Sequence, residues 1–263
     1  MTLIKATKEE TAWQEDFEKE LDRSEEKEIV PVRRYLSREY NQATEEYLQN
    51  QNTNNWSNLF KEHEIAAIYA ILYMNIGSKF SKLYKKTYQG KFPNEFNTDG
   101  YNNIWREKFR EAGLKISQFK GKGVSLASQK EITRIISKLH KSPEFQALNE
   151  REAGRILKSQ FKKLADYKAK RIVRTEATNA ANFATLQTAN DMYGINNIQK
   201  TWLASFIRTR ETHAAANGQK VNGDEKFNVG GEYLFHPGSG VLAENNINCR
   251  CTILIEPKPI PEI

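Results

Sequence analysis

Two histidines and two cysteines lie within 39 residues near the end of the sequence: His213, His236, Cys249 and Cys251. Together they make a Cys2His2 set, which is sufficient for a structural zinc ion. Both thiols of a Cys-x-Cys segment point to the same side of an extended backbone, so both could reach one ion. The spacing differs from the usual Cys-x2-Cys of zinc sites. These residues predict one zinc ion, which would stabilise a C-terminal unit whose own core is small.

Two other interpretations of these residues stay open. In the first, Cys249 and Cys251 are reduced, buried and behave as small hydrophobes, and His213 is a hydrogen-bonded core histidine. In the second, a cysteine and a histidine form a nucleophilic pair, which requires a shaped cleft around them. A disulfide framework is not expected from two cysteines that are one residue apart.

The charge of the sequence is concentrated in one segment. Residues 108–174 contain eighteen Lys or Arg and six Asp or Glu, a net charge of +12, while the whole chain carries +7. Such a segment is either a solvated helical surface or a surface that faces DNA or an acidic partner. Few aromatic residues are interleaved, so contact with DNA would be to phosphates and not sequence-specific. The residues predicted for this surface are Lys158, Lys162, Lys163, Lys168, Lys170 and Arg171.

The first 28 residues are acidic, with a net charge of −5, and carry Trp13, Phe17 and Leu21 at helical spacing. This pattern favours an amphipathic helix that anchors on a partner protein, and the alternative is a solvated arm. No apolar run approaches the ~18–20 residues of a membrane span, so we expect no contact with a membrane during assembly.

Apolar periodicity predicts the helices. The strongest pattern covers residues 65–83, a further helix begins at Pro31, and a long one covers residues 145–192 with Gly194 as its C-cap. Breaks are predicted where polar residues, glycine and proline cluster, at residues 49–55, 91–103 and 119–123.

The sequence pattern changes after Gly194, from helical periodicity to turn and strand signals. Two Asn-Gly pairs, at Asn217 and Asn222, predict hairpins, and residues 252–255 predict a strand. The predicted fold is therefore α+β, with a mainly helical N-terminal two-thirds that includes a long helix, followed by a small mixed unit with short hairpins. The predicted segments are an acidic arm at residues 1–30, a helical region at 31–144, a long helix at 145–196, a small α+β unit at 197–256 and a proline-rich tail at 257–263.

The alanine-rich stretch 174–182 carries a polar group at about every third position. Glu176 and Asn179 share one face of this helix, and Arg171, Arg174 and Thr178 share another. Small residues allow another element to approach closely. We therefore expect these polar groups to pin an element that packs there.

A series of short motifs runs through the last ninety residues. It comprises Arg174-Thr175-Glu176, Lys200-Thr201-Trp202, Arg208-Thr209-Arg210-Glu211-Thr212-His213, Gly218-Gln219-Lys220-Val221, Glu225-Lys226-Phe227, Pro237-Gly238 and Asn246-Ile247-Asn248-Cys249-Arg250-Cys251. In this order, over about residues 171–256, the series resembles the phage Mu F-like minor head protein family, whose members act in head morphogenesis. The motif residues that we expect to tie segments together are Arg174, Glu176, Trp202, Arg208, Arg210 and Arg250.

The resemblance implies a minor capsid protein of a tailed bacteriophage, present in few copies per particle. Its expected partners are the portal protein, the major capsid protein or both, with non-specific contact to packaged DNA. Its expected location is inside the head near the portal, and the host cytoplasm during assembly. Its expected roles are head morphogenesis and DNA packaging or delivery.

An enzyme is not expected. The family typically has an acidic residue shortly before the Arg-Thr-Arg stretch, and this chain has Ser205-Phe206-Ile207 there. The sequence ends at Ile263, soon after Cys251, so we expect no appended enzymatic domain. A non-specific DNA-binding protein and a zinc-dependent nuclease or toxin-like enzyme are the alternatives.

Overall fold

The computed structural model describes residues 7–51, 56–88, 101–205 and 209–258. Four long helices dominate it, and a short helix, α4, precedes the last of them. In chain order they are α1 Lys8–Asn50, α2 Glu62–Tyr88, α3 Tyr101–His140, α4 Pro143–Gln146 and α5 Glu150–Tyr193. Together with the small sheets that follow, they confirm the predicted α+β class with a helical N-terminal two-thirds.

The C-terminal part combines short strands with short helices. A 3₁₀ helix at Ile195–Asn197 leads into β1 Ile198–Leu203, α6 Glu211–Ala215, β2 Lys220–Asn222, β3 Phe227–Val229, β4 Glu232–Leu234, α7 Ala243–Asn246 and β5 Thr252–Pro257. Strand β1 is central, with β2 and β5 antiparallel on its two sides, so that Thr201 lies opposite both Lys220 and Leu254. Strands β3 and β4 form a separate hairpin.

Two predicted helix interruptions are wrong. Helix α1 runs through Pro31 instead of beginning there, because the exposed side of the helix lets water hydrate the carbonyl that loses its partner. Helix α3 runs through Gly121 and Gly123, where a break was predicted. A glycine costs a helix only about 1 kcal/mol relative to alanine, which the packing of a 40-residue helix can offset.

Several turns use glycines with positive φ values, and the sequence predicted some of these positions. Gly194 has a φ of 82° directly after α5, as expected for a C-cap. The tight hairpin between β3 and β4 uses Gly230 and Gly231, whose φ values are 59° and 87°. The Asn-Gly pair at Asn217 instead leads from α6 into β2, so the prediction of a two-residue hairpin there is wrong.

The chain divides into two compact units. One contains Met1–Glu26, Leu72–Glu111 and Arg174–Ile263, and the other contains Lys27–Ile71 and Ala112–Val173. The second unit has an aromatic core in which the Tyr40 ring stacks on that of Phe161 at 5.2 Å and meets that of Phe60 at 5.1 Å.

The first unit contains the N-terminal aromatic stripe. Trp13, Phe17 and Leu21 are all buried within this unit. The Phe17 ring lies 4.7 Å from that of Phe80, and Trp13 Nε1 donates a hydrogen bond to Thr252 Oγ1 at 3.3 Å. The prediction of a free arm that anchors on a partner is therefore wrong, because the protein's own core covers the stripe.

Among the residues that the structure describes, no helix has both the length and the apolar character that crossing a bilayer requires. Several predicted features fall partly outside those residues. They are the polar break at 49–55, the loop at 91–103 and the C-terminal tail at 257–263.

Candidate metal centre and its arginine-lined cavity

Three of the four predicted metal ligands meet in the C-terminal part of the chain. His213 Nδ1 on α6 lies 3.3 Å from Cys251 Sγ and 3.6 Å from Cys249 Sγ. The three ligand atoms lie within 4.8 Å of one another, and all three side chains are buried. Zinc–sulfur bonds of about 2.3 Å and a zinc–nitrogen bond of about 2.0 Å at tetrahedral angles separate nitrogen and sulfur by roughly 3.5 Å. The three side chains therefore have the spacing of a zinc ligand set.

Polar side chains of α5 hold the backbone that carries the two thiols. Thr178 Oγ1 donates to the carbonyl of Cys249, and Asn182 Nδ2 donates to that of Cys251 at 3.0 Å. Asn182 Oδ1 also accepts from the N–H of Ile253 at 3.1 Å. Both asparagine and threonine are completely buried. The polar groups of the alanine-rich stretch thus pin the Cys-x-Cys segment to the helix, which keeps the thiols facing His213.

The two thiols differ in acidity. The hydrogen bond from the Cys251 thiol lowers the pKa of Cys249, and the charges of Arg210 and Arg250 lower it further. That same hydrogen bond, together with burial, holds the pKa of Cys251 well above its usual range. Cys249 is therefore the more acidic of the two thiols. A metal ion bound here would displace the thiol protons.

His236 does not join this group, which corrects the predicted Cys2His2 set. Its Nδ1 lies 3.1 Å from the carbonyl oxygen of Pro237, and its ring makes an edge contact with Phe183. Burial lowers the pKa of His236 to about 4, and the charge of Lys200 acts in the same direction. His236 is therefore a neutral core histidine.

Arg250 links the Cys-x-Cys segment to the start of α1. Its guanidinium pairs with Asp22 Oδ1 at 2.5 Å and with Glu25 Oε1 at 2.9 Å. The side chains of Arg250 and Glu25 are each only 12% exposed, so this pair is shielded from water, whereas Asp22 is exposed. Burial raises the pKa of Glu25, while Arg250 and Arg174 oppose that change.

The other residues that were predicted to tie segments together differ in their contacts and exposure. Arg210 donates to the carbonyl of Ile247. Glu176 accepts a hydrogen bond from Tyr73 of α2 at 2.8 Å, so this contact joins α5 to α2 and not to the C-terminal strands. Arg174 is exposed.

Trp202 is completely buried and packs edge-on against His213 at 5.5 Å and Phe227 at 5.4 Å. The Trp202 ring therefore packs against the imidazole whose Nδ1 belongs to the candidate metal group. Arg208 lies outside the described residues.

A cavity of about 260 Å³ opens beside the three ligands. Its walls include the three ligand side chains themselves and the arginines Arg174, Arg210 and Arg250. The other lining residues are neutral and polar, namely Ser205, Thr209 and Asn248. Among the described residues that line it, the charged side chains are these three arginines and none is acidic, while Asp22 and Glu25 bond to Arg250 and Glu18 bonds to Ser205.

Residues 131–254 match the family model described as Phage Mu protein F like protein. This confirms the resemblance over a segment that contains the His213, Cys249 and Cys251 group, the cavity and all of α5. The match supports a phage head-related protein with a virion location.

One curated relative is an enzyme by name. The NAD(+)–arginine ADP-ribosyltransferase EFV of Enterococcus faecalis is 37% identical to this chain over 93 residues, which are 34% of this chain. The chain spans about a fifth of the length of that relative, since the shared stretch is 19% of it. No solved structure matches the chain.

The predicted basic surface is only partly available. Lys168 is buried and bonds to Ser128 Oγ at 3.1 Å and to Glu131 Oε2, so its place on a DNA-facing surface is contradicted. Lys170 pairs with Asp166, and the guanidinium of Arg171 lies 5.4 Å from the centre of the Tyr167 ring. The exposed lysines left on this part of α5 are Lys158, Lys162 and Lys163.

The sequence analysis named Thr178 but did not single out Asn182, Asp22 or Glu25, which also hold the site in place. Asn182 lay inside the polar, alanine-rich stretch, and its spacing of four from Thr178 was a usable signal for a shared face. Asp22 and Glu25 gave no such signal, because they lie more than 220 positions from Arg250 in the sequence.

Proposed function

We propose that this protein is a minor head protein of a tailed bacteriophage that associates with the portal, the major capsid protein or both. It acts in head morphogenesis and in DNA packaging or delivery. It resides inside the head near the portal, after assembly in the host cytoplasm. The family match over residues 131–254 carries this proposal.

The contacts of the motif residues suit a structural role. Arg250 bonds to α1, Glu176 bonds to α2, and Asn182 bonds to the segment before β5 and to its start. These side chains connect distant parts of the sequence, and buried charged or amide groups of this kind fix how segments pack. A head protein needs such a fixed surface to assemble in register with its partners.

The portal protein from the same phage genome is expected to capture the full chain when the two are co-expressed, and the major capsid protein is the second bait. A tail protein of that genome serves as the negative bait. Val241 and its neighbour Leu242, which are 94% and 46% exposed within the matched segment, offer an apolar surface that a partner would cover. Val241→Asp should therefore reduce capture at least several-fold.

The matched control is Val30→Asp, since Val30 is also exposed but lies on α1, outside the matched segment. It should leave capture unchanged. Capture by neither head protein, or equal capture by the tail protein, would contradict the proposed role.

The proposal includes one zinc ion held by His213, Cys249 and Cys251. Two thiolates and an imidazole are ligands that zinc prefers. When bound, the ion would cross-link α6 to the segment that precedes β5. The zinc is proposed as a structural element of the C-terminal part of the chain.

Non-specific DNA contact is a second candidate function, favoured by the exposed lysines on α5. Replacing Lys158, Lys162 and Lys163 together with alanine should weaken binding to duplex DNA uniformly across sequences. The slope of log affinity against log salt should fall by about 2–3, because each phosphate contact contributes about 0.9. Fluorescence anisotropy at several salt concentrations measures both quantities.

An equal loss of charge elsewhere provides the control for that experiment. The triple variant Lys19→Ala, Lys27→Ala and Lys61→Ala also removes three exposed lysines. Equal slopes for the two triple variants would show that net charge alone, and not this surface of α5, drives binding.

The enzymatic alternative rests on the name of one relative. Because the shared stretch is only 19% of that relative, we do not include its transferase activity in the proposed function of this chain. We propose that this chain acts as a structural protein and not as an enzyme.

A further inference from the structure

We infer that the fourth coordination position of the metal centre opens into the arginine-lined cavity and takes an oxyanion, either a carboxylate or a phosphate. This inference rests on the zinc ion included in the proposed function. The inference adds three things to the proposed function: a binding site, an exchangeable coordination position and a class of ligand.

The ligand count is the first step. Among the described residues, the metal group has three members, whereas zinc is almost always four-coordinate. Three protein ligands with an exogenous fourth ligand is the arrangement of zinc sites that exchange ligands.

The position of the cavity is the second step. His213, Cys249 and Cys251 are all buried, yet each of them lines the cavity of about 260 Å³. An ion among the three ligand atoms would therefore face this space on its remaining side. The volume holds several water molecules or one small anion, since a water occupies about 30 Å³ of liquid.

The charge around the cavity is the third step. A zinc ion with two thiolates and a neutral imidazole has no net charge, so the arginines set the sign. Asp22 and Glu25 bond to Arg250, and Glu18 bonds to Ser205, but none of these three carboxylates lines the cavity. Arg210 donates to the neutral carbonyl of Ile247, and Arg174 is exposed. The guanidinium groups of Arg174 and Arg210 therefore offer positive charge and N–H donors to an anion in the cavity. A guanidinium matches the two oxygens of a carboxylate or phosphate group.

Cobalt(II) substitution in the full chain tests the inference, because cobalt(II) reports its ligands through visible absorption. Cobalt loading should give thiolate charge-transfer bands and the d–d bands of a four-coordinate site. Titration with acetate, and separately with inorganic phosphate, should shift the d–d bands along a saturable curve. The anion that shifts them at lower concentration identifies a carboxylate or a phosphate as the preferred ligand.

Arg174→Ala supplies the decisive variant, since Arg174 is exposed and its loss leaves the three metal ligands intact. It should bind cobalt normally and weaken the anion affinity about fivefold. Arg171→Ala is the matched control, because Arg171 is an exposed arginine of the same helix that does not line the cavity.

Three results would overturn the inference in distinguishable ways. A four-coordinate cobalt spectrum that neither anion changes would exclude an open position while leaving the zinc ion in place. Failure to bind cobalt would exclude both the zinc ion and the anion site. Neither result bears on capture by the portal protein, which is measured without added metal. Equal anion affinity in wild type and Arg174→Ala would exclude the arginine contribution that the inference requires.

Discussion

Asn182→Ala is expected to lower the free energy of unfolding by about 2–6 kcal/mol, because it leaves two buried backbone groups without a partner, each costing about 1–3 kcal/mol. The amide of Asn182 satisfies the carbonyl of Cys251 and the N–H of Ile253 at once. Alanine fills the position without a clash but provides neither a donor nor an acceptor. Urea unfolding followed by circular dichroism measures the loss.

Asn103→Ala is the matched control for this substitution. Asn103 is an exposed asparagine on α3, so the same change of residue type should alter stability by less than about 0.5 kcal/mol. Equal stabilities of the two variants would mean that water or a local shift replaces both hydrogen bonds of Asn182. The Asn182 variant should also bind cobalt(II) more weakly than the control, since the Cys-x-Cys segment loses its attachment to α5.

The helices could be predicted from sequence where one apolar face repeats without interruption. The pattern over residues 65–83 placed α2 correctly, and Gly194 marked the end of α5. The errors came from reading residue types as local signals. Gly121 and Gly123 lie inside α3, and Pro31 lies inside α1, because tertiary packing of a long helix outweighs local propensity.

The candidate site could be predicted only where residues close together in the sequence are also held close together in space. Cys-x-Cys brings two thiols together within three residues, and His213 lies within 4.8 Å of both, as the predicted ligand set requires. His236 was chosen by its type and its closeness in sequence. The fold instead buries it against Phe183 and Pro237, a contact that depends on how α5 and the C-terminal loops pack.

The aromatic stripe at the N-terminus shows the same limit. An amphipathic pattern indicates that Trp13 and Phe17 are buried, and both are. The pattern does not say which surface covers them. The prediction assigned that surface to a partner protein, while the structure assigns it to residues such as Phe80 of the same chain.

Acidification should remove stability from this protein through His236. Because the folded-state pKa is about 4 and the ordinary value is 6.5, the unfolded chain binds a proton between these pH values while the native protein does not. The free energy of unfolding therefore rises with pH in this window, so the stability is fully present above about pH 6.5 and is lost as the pH falls towards 4. The difference in pKa corresponds to about 3 kcal/mol.

His236→Gln tests this linkage, because glutamine keeps an amide that can donate to the Pro237 carbonyl but does not titrate. Its unfolding free energy, measured by urea at pH 7 and at pH 4, should fall by about 3 kcal/mol less than that of the wild type. Carboxylates with lowered pKa values, such as Glu232, contribute to both proteins, and their effect cancels in the difference. The exposed His63 provides the control, and His63→Gln should keep the wild-type pH dependence. If the wild type and His236→Gln lose stability in parallel, the buried imidazole does not control the response to acid, and carboxylates must account for all of it.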